Sequence, residues 1–159
     1  MTSIYTEWKQ VPESELGDFN HVDHQTYIRW MREMTKQHFA ALGFDREYFV
    51  KLDRCFVVRR HSVEHLSPCF HKDRVLFVTW LSEVGHKIVK RQHRIFKLDD
   101  SGDLVPVVRA QNLSIFVDTE VKPTPIPSDI LDVFTTVTDA EALRHAHSLS
   151  APPELLHVS

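Results

Sequence analysis

The apolar residues of this 159-residue chain change their period once, near Asp53, and that change restricts the folds open to it. Before it, Tyr27, Trp30, Met31, Met34, His38, Phe39 and Leu42 recur at spacings of three and four, which is one face of a helix about five turns long. After it, residues 55–66, 74–83, 86–98 and 104–117 are rich in Val, Ile, Phe and Thr and read as four long strands. A long helix followed by a meander of long antiparallel strands has one economical solution. The sheet curls around the helix and buries its Trp30, Met34 and Phe39 stripe, giving an α+β architecture.

Local signals fill in the rest. Residues 4–11 read as a first strand closed by Pro12, and Gly43 stands where a left-handed helix terminator belongs. Asp45 is the expected N-cap of a second, shorter helix over 45–52. Short connections at 84–85 and 99–103 predict antiparallel hairpins. Pro123, Pro125 and Pro127 end the sheet, because proline donates no ladder hydrogen bond. Ser128 is expected to cap a short helix to residue 134, and Thr138 with Glu141 forms a capping box for a last helix to about residue 147. Residues 1–147 therefore read as a single domain, and 148–159 as a polar tail without periodicity. With one helix to cover one face, Val75, Phe77, Ile95, Ile115 and Val117 are expected to need a second copy of the chain. Edge-strand pairing would then give a homodimer, and stacking of dimers a homotetramer.

Composition narrows the function. With 19 Lys+Arg against 22 Asp+Glu the formal charge is −3, which is a poor footprint for nucleic acid. The 11 histidines can reverse that sign near pH 6. No apolar run is long enough for a membrane span, the first ten residues lack the pattern of a secretory signal, and only Cys55 and Cys69 carry thiols. The expectation is a reduced cytoplasmic protein with no membrane partner.

Two metal-like patterns do not hold up. His61-Ser62-Val63-Glu64-His65 spells an inverted zinc-protease signature, but that signature works on a helix and this segment is a strand. Residues four apart on a strand are about 13 Å apart, too far for one ion. His21 and His24 have no third ligand nearby, so no metal site is expected. The segment 86–97 carries Lys87, Lys90, Arg91, Arg94 and Lys97 and reads first as a solvated strand face.

Four stretches together resemble the hotdog-fold thioesterases of the 4-hydroxybenzoyl-CoA thioesterase type. His21-Val22-Asp23-His24-Gln25-Thr26-Tyr27-Ile28-Arg29-Trp30 is similar to the family's loop into its central helix. Val57-Val58-Arg59-Arg60-His61-Ser62-Val63-Glu64-His65-Leu66-Ser67-Pro68 resembles its first long strand, Asp73 the acidic residue before the next, and Thr124-Pro125-Ile126-Pro127 its closing segment. The resemblance implies a hotdog fold, a long helix wrapped by a curved antiparallel sheet. It also implies hydrolysis of acyl-CoA or acyl-carrier-protein thioesters at a dimer-interface cleft, without metal or organic cofactor. Where the family places its catalytic acid this chain has Gly17, with Asp18 one residue later. Tyr27-Ile28-Arg29-Trp30 is also similar to enediyne polyketide thioesterases, which lack that acid and still hydrolyse.

Thioester hydrolysis needs a base or nucleophile and donors aimed at the developing oxyanion. Asp18, Asn20 and His21 sit just before the long helix, and with Arg29 they form the expected catalytic set. The plain structural role of Asp18 and Asn20 would be turn formation and helix capping. His24, Tyr27 and Trp30 are expected to contact substrate, and Arg59, Arg60 and Lys90 to meet the phosphates of coenzyme A or a phosphopantetheine arm. Two alternatives stay open. Gly17-Asp18-Phe19-Asn20 resembles the start of the motif in hotdog enoyl-CoA hydratases, and a silent acyl-binding module would also tolerate Gly17.

Overall fold

The computed structural model describes residues 3–151, so part of the expected tail, 152–159, lies outside the described residues. Strand β1 (Ile4–Gln10) is followed by a one-turn 3-10 helix at Glu13–Glu15. Helix α1 spans His24–Ala41 and α2 spans Arg46–Leu52. Then come β2 (Cys55–His65), β3 (Arg74–Val84), β4 (Ile88–Leu98) and β5 (Leu104–Val117), and finally α3 (Ser128–Leu131) and α4 (Asp139–His147). The strands form one five-stranded antiparallel sheet in the order β1-β3-β4-β5-β2, curved around α1 as in the hotdog fold.

Each boundary has a local cause. The Asp23 carboxylate accepts from the Gln25 N–H at 2.6 Å and starts α1, and Gly43 at φ 99° ends it. Asp45 caps α2 by accepting from the Tyr48 N–H at 2.9 Å. The β4–β5 turn is organised by Asp99, whose carboxylate accepts from the Ser101 and Asp103 amides at 2.9 and 2.8 Å. Thr138 Oγ1 caps α4 through the Glu141 N–H. Ser128 does not cap α3, because Pro127 occupies that position and the helix is a single turn.

Three expectations need correction. First, β2 does not continue into a meander with β3. After His65 the chain passes beneath the start of α1, where Cys69 N–H donates to the buried Tyr27 hydroxyl at 3.2 Å, and enters the sheet at the other edge beside β1. β2 pairs instead with β5, from Cys55 opposite Val117 to His65 opposite Val108.

Second, Val75, Phe77, Ile95, Ile115 and Val117 are buried within the single chain. The first three pack with Trp30, Met31 and Met34 of α1. The opposite face of the sheet, at Leu76, Val78, Trp80 and Phe96, is covered by Val137, Ala142 and Ala146 on and beside α4. Those five positions therefore need no second copy.

Third, the 86–97 segment is not a solvated face: Arg91, His93 and Arg94 are buried. β4 is the central strand of the sheet, so both of its faces are covered.

Candidate active site

The loop before α1 is a miniature hairpin. Gly17 N–H donates to His21 O at 2.8 Å, Asn20 N–H donates to Gly17 O at 3.1 Å, and Leu16 bridges Val22. Asn20 closes the turn at φ 62°, a left-handed conformation that Asn tolerates better than most residues. Asp18 and Phe19 form the tip, and Phe19 is 84% exposed. The neck of the hairpin is built around Gly17, since a Cβ there would meet Asp23 Cβ at 3.3 Å. An acid at position 17 would crowd the residue that caps α1. The capping role considered for Asp18 and Asn20 thus belongs to Asp23.

At the helix start, the Gln25 amide is taken by the Asp23 carboxylate, and the Thr26 and Tyr27 amides by the Asp23 carbonyl. The His24 amide has no acceptor among the described residues. It lies at the positive end of the α1 dipole, where a developing oxyanion is favoured. The His24 ring meets β2: its Nδ1 lies 2.5 Å from His65 Nε2, and the two rings cross edge to face at 4.6 Å. Tyr27 sits beneath them, 5.6 Å from the His65 ring, and burial pushes its phenol well above the usual range. Burial, and secondarily the charge of His24, pulls both His65 and His61 below the ordinary histidine value. Neutral imidazoles able to accept or pass a proton therefore stand at the mouth of α1 at pH 7.

The sequence-derived residues divide between this end of the molecule and others. Asp18, Asn20, His21, His24 and Tyr27 belong to the hairpin and the first turn of α1, and His21 Nδ1 pairs with the carbonyl of Val22. Arg29 is one and a half turns further on. It forms ion pairs with Glu15 of the 3-10 turn and with Glu33, so it ties the incoming loop to the helix. Trp30 is buried against Phe77 and Lys9. Arg59 and Arg60 are exposed on β2 at the bulge between Val58 and Arg60. Lys90 shares the cross-strand row of Leu113 and Arg60, on the face away from α1, and is paired with Glu83 at 3.3 Å. His65 was missed as a partner of His24 because 41 residues separate them. The only signal was that His61, Val63 and His65 alternate along β2, which puts all three on one face.

Among the described residues no group of three or more His, Cys, Asp or Glu is placed to hold a metal ion, and no helix is long and apolar enough to cross a membrane.

Comparison with known proteins bears on the family and the fold. The family model described as the thioesterase-like superfamily matches residues 14–134. Acyl-acyl carrier protein thioesterase ATL3, chloroplastic, from Arabidopsis thaliana, is 21% identical over 125 residues, covering 79% of this chain. The chain spans 64% of the length of that curated relative. Among solved structures, 4-hydroxybenzoyl-CoA thioesterase from Pseudomonas sp. strain CBS-3 superposes with a TM-score of 0.75 at 17% identity, over 83% of this chain and 99% of the other. The 12:0-ACP thioesterase from Umbellularia californica gives 0.72 at 20% identity, over 89% of this chain and 58% of the other. The 1,4-dihydroxy-2-naphthoyl-CoA thioesterase from Synechocystis gives 0.72 at 16% identity, over 82% and 94%.

Proposed function

Because the chain belongs to the thioesterase-like superfamily, whose model spans residues 14–134, we propose that it hydrolyses an acyl thioester of coenzyme A or of acyl carrier protein at the start of α1. The observation that carries this reading is the unpartnered His24 amide beside the His24–His65 imidazole pair, within the matched segment. The thioester carbonyl oxygen accepts from the His24 N–H, and the helix dipole stabilises the oxyanion as water adds to the carbonyl carbon. Asp18, on the hairpin tip, takes the proton from that water, with Asn20 and His21 shaping the tip. Collapse of the tetrahedral intermediate breaks the C–S bond, and the proton taken up by Asp18 is returned to the departing sulfur, with the neutral imidazole pair able to relay it. Arg29 acts through the loop that it holds rather than on the substrate. Tyr27 and Trp30 floor the site, and Arg59 and Arg60 are the cations available to substrate phosphates. Lys90, engaged by Glu83, is the weaker candidate.

The same reading includes a homodimer. β2 is an 11-residue edge strand with Val58 56% exposed, a template for pairing with its own copy beside His61 and His65. Cys55 and Cys69 are free thiols, in keeping with a reduced compartment such as the cytoplasm.

The test is thiol release from CoA and carrier-protein thioesters of short, long and aromatic acyl groups. Asp18→Asn should lower turnover by at least about a hundredfold while the melting temperature stays within roughly 2 °C. Full activity in Asp18→Asn would remove Asp18 from the chemistry. Asn20→Gly, which keeps the left-handed turn, then probes the amide. Absence of thiol release from wild type across the panel would sink the hydrolase reading, and loss of enoyl absorbance on crotonyl-CoA would put hydration in its place.

A further inference from the structure

The core between α1 and the sheet is interrupted. One apolar cluster gathers around Trp30, Met34, Phe77 and Ile95, and another around Phe39, Leu81, Val89 and Phe116. Between them runs a polar seam. In the cross-strand registers, Thr79, His93, Ala110 and Val63 form one row and Leu81, Arg91, Asn112 and His61 the next. Arg91 and His93 are each 2% exposed, and the seam surfaces at His61 on the open edge.

Arg91 is the anomaly in this seam. Its Nη1 donates to His38 Nδ1 at 2.9 Å and to Thr79 Oγ1 at 3.0 Å, and the guanidinium lies 4.9 Å over the Phe39 ring. Its Nη2 has no acceptor, His93 Nε2 two residues away has no partner, and among the described residues no carboxylate forms an ion pair with it. A buried guanidinium without a counter-ion is costly, and the arrangement suits a planar oxyanion. His38 also forms part of the wall of a cavity of about 320 Å³ at the C-terminal end of α1, with apolar sides from Leu42, Leu81 and Val133. An acid entering there would set its apolar chain against those side chains, with the guanidinium one residue behind the wall. Asp132, also on the wall, would disfavour a second negative charge near it.

We propose that Arg91, held by His38 and Thr79, heads a carboxylate-binding subsite between α1 and the sheet. The carboxylate comes either from a free carboxylic acid or from the distal end of a carboxyacyl thioester, and the second source rests on the hydrolase reading above.

Thermal denaturation of the full chain at pH 7 tests the first source. Hexanoate should raise the melting temperature by roughly 3 °C at several times its Kd, where hexan-1-ol and sodium chloride do not. Arg91→Met should abolish the rise. Arg91→Lys keeps the charge and should retain part of it, which preserves the test where the Met variant does not fold. For the second source, the acyl chain must span the fourteen residues of α1 from His24 to His38, about 21 Å, so thiol release from hexadecanedioyl-CoA should exceed that from hexadecanoyl-CoA by about tenfold in kcat/KM, with the ratio collapsing in Arg91→Met. A hexanoate response alone assigns the free acid, and a preference for the dicarboxylic chain alone assigns the acyl group. An Arg91-dependent hexanoate response without thiol release from either thioester overturns the hydrolase reading and leaves the subsite standing. With neither response, or with both unchanged in the two variants, the subsite is overturned.

Discussion

Arg91 and Arg94 stand three residues apart on β4, bury their guanidinium groups on opposite faces of the same sheet, and are treated differently there. On the outer face Arg94 lies 5.1 Å over Trp80, donates to the His93 carbonyl at 2.9 Å, and has Asp139 of α4 at 3.6 Å. On the inner face Arg91 has an equivalent aromatic platform in Phe39 and bonds to His38 and Thr79, with no acidic partner among the described residues. Burial lowers both side chains. For Arg94 the charge of Asp139 opposes the shift, whereas for Arg91, drawn down to about 9, burial acts alone. The contrast separates two uses of a buried cation. One is neutralised by the chain's own C-terminal helix and fastens it. The other stays charged at neutral pH with its counter-charge left to a ligand.

The largest expected effect tests the equality of the two platforms. Trp80→Ala and Phe39→Ala should each cost about 3–5 kcal/mol in urea denaturation, the usual range for a buried aromatic. A Phe39 variant far cheaper than its counterpart would mean that the inner guanidinium does not depend on the ring.

Next is the pH response of the inner face. His93 is held well below the ordinary histidine value, first by burial and then by the charges of Arg91, His61, Arg94 and His38. The unfolded chain takes up this proton below about pH 6.5 and the folded chain refuses it, so the contribution is complete above that pH and is lost as the pH falls. The slope is at most about 1.4 kcal/mol per pH unit for one histidine, with His61 and His65 adding in the same direction. Urea midpoints at pH 7.5 and 5.5 should converge in His93→Gln relative to wild type. An unaltered difference would assign the acid sensitivity elsewhere.

Smallest, and most direct, is the pair Arg94→Met and Arg91→Met without added ligand. The outer change loses an ion pair to a half-exposed Asp139 and should cost about 1 kcal/mol. The inner change removes an uncompensated buried charge and should leave stability equal or higher. Equal losses in the two variants would erase the distinction between them.

The sequence shows some of these features and hides others for a physical reason. Helix α1, its Gly43 terminator and the four later strands were readable because periodicity, caps and turns are local properties. The hotdog resemblance, too, rested on short contiguous stretches. Partners distant in the chain were not readable. β2 leaves β3 for β5, His24 finds His65, and α4 covers Trp80, all by contacts across dozens of residues. Arg91 looked like one cation among five on a solvated strand, because charge alone does not reveal that β4 lies at the centre of the sheet. Asp18 could be picked out by composition, yet the residue that crowds position 17 and caps the helix, Asp23, is a matter of backbone geometry.

The crossing of β2 to the far edge also orders events in time. The β3–β4 and β4–β5 hairpins close over short turns, but β2 must wait for β5 and close a loop of about forty residues, from His65 to Val108, which is entropically slower. The strand that supplies His65 is therefore expected to join a sheet already formed. Val63→Ala on β2 should accelerate unfolding while leaving the refolding rate nearly unchanged, and stopped-flow kinetics would show the reverse if β2 belonged to the nucleus. A newly made chain would then possess its central hairpins before it possesses its imidazole pair.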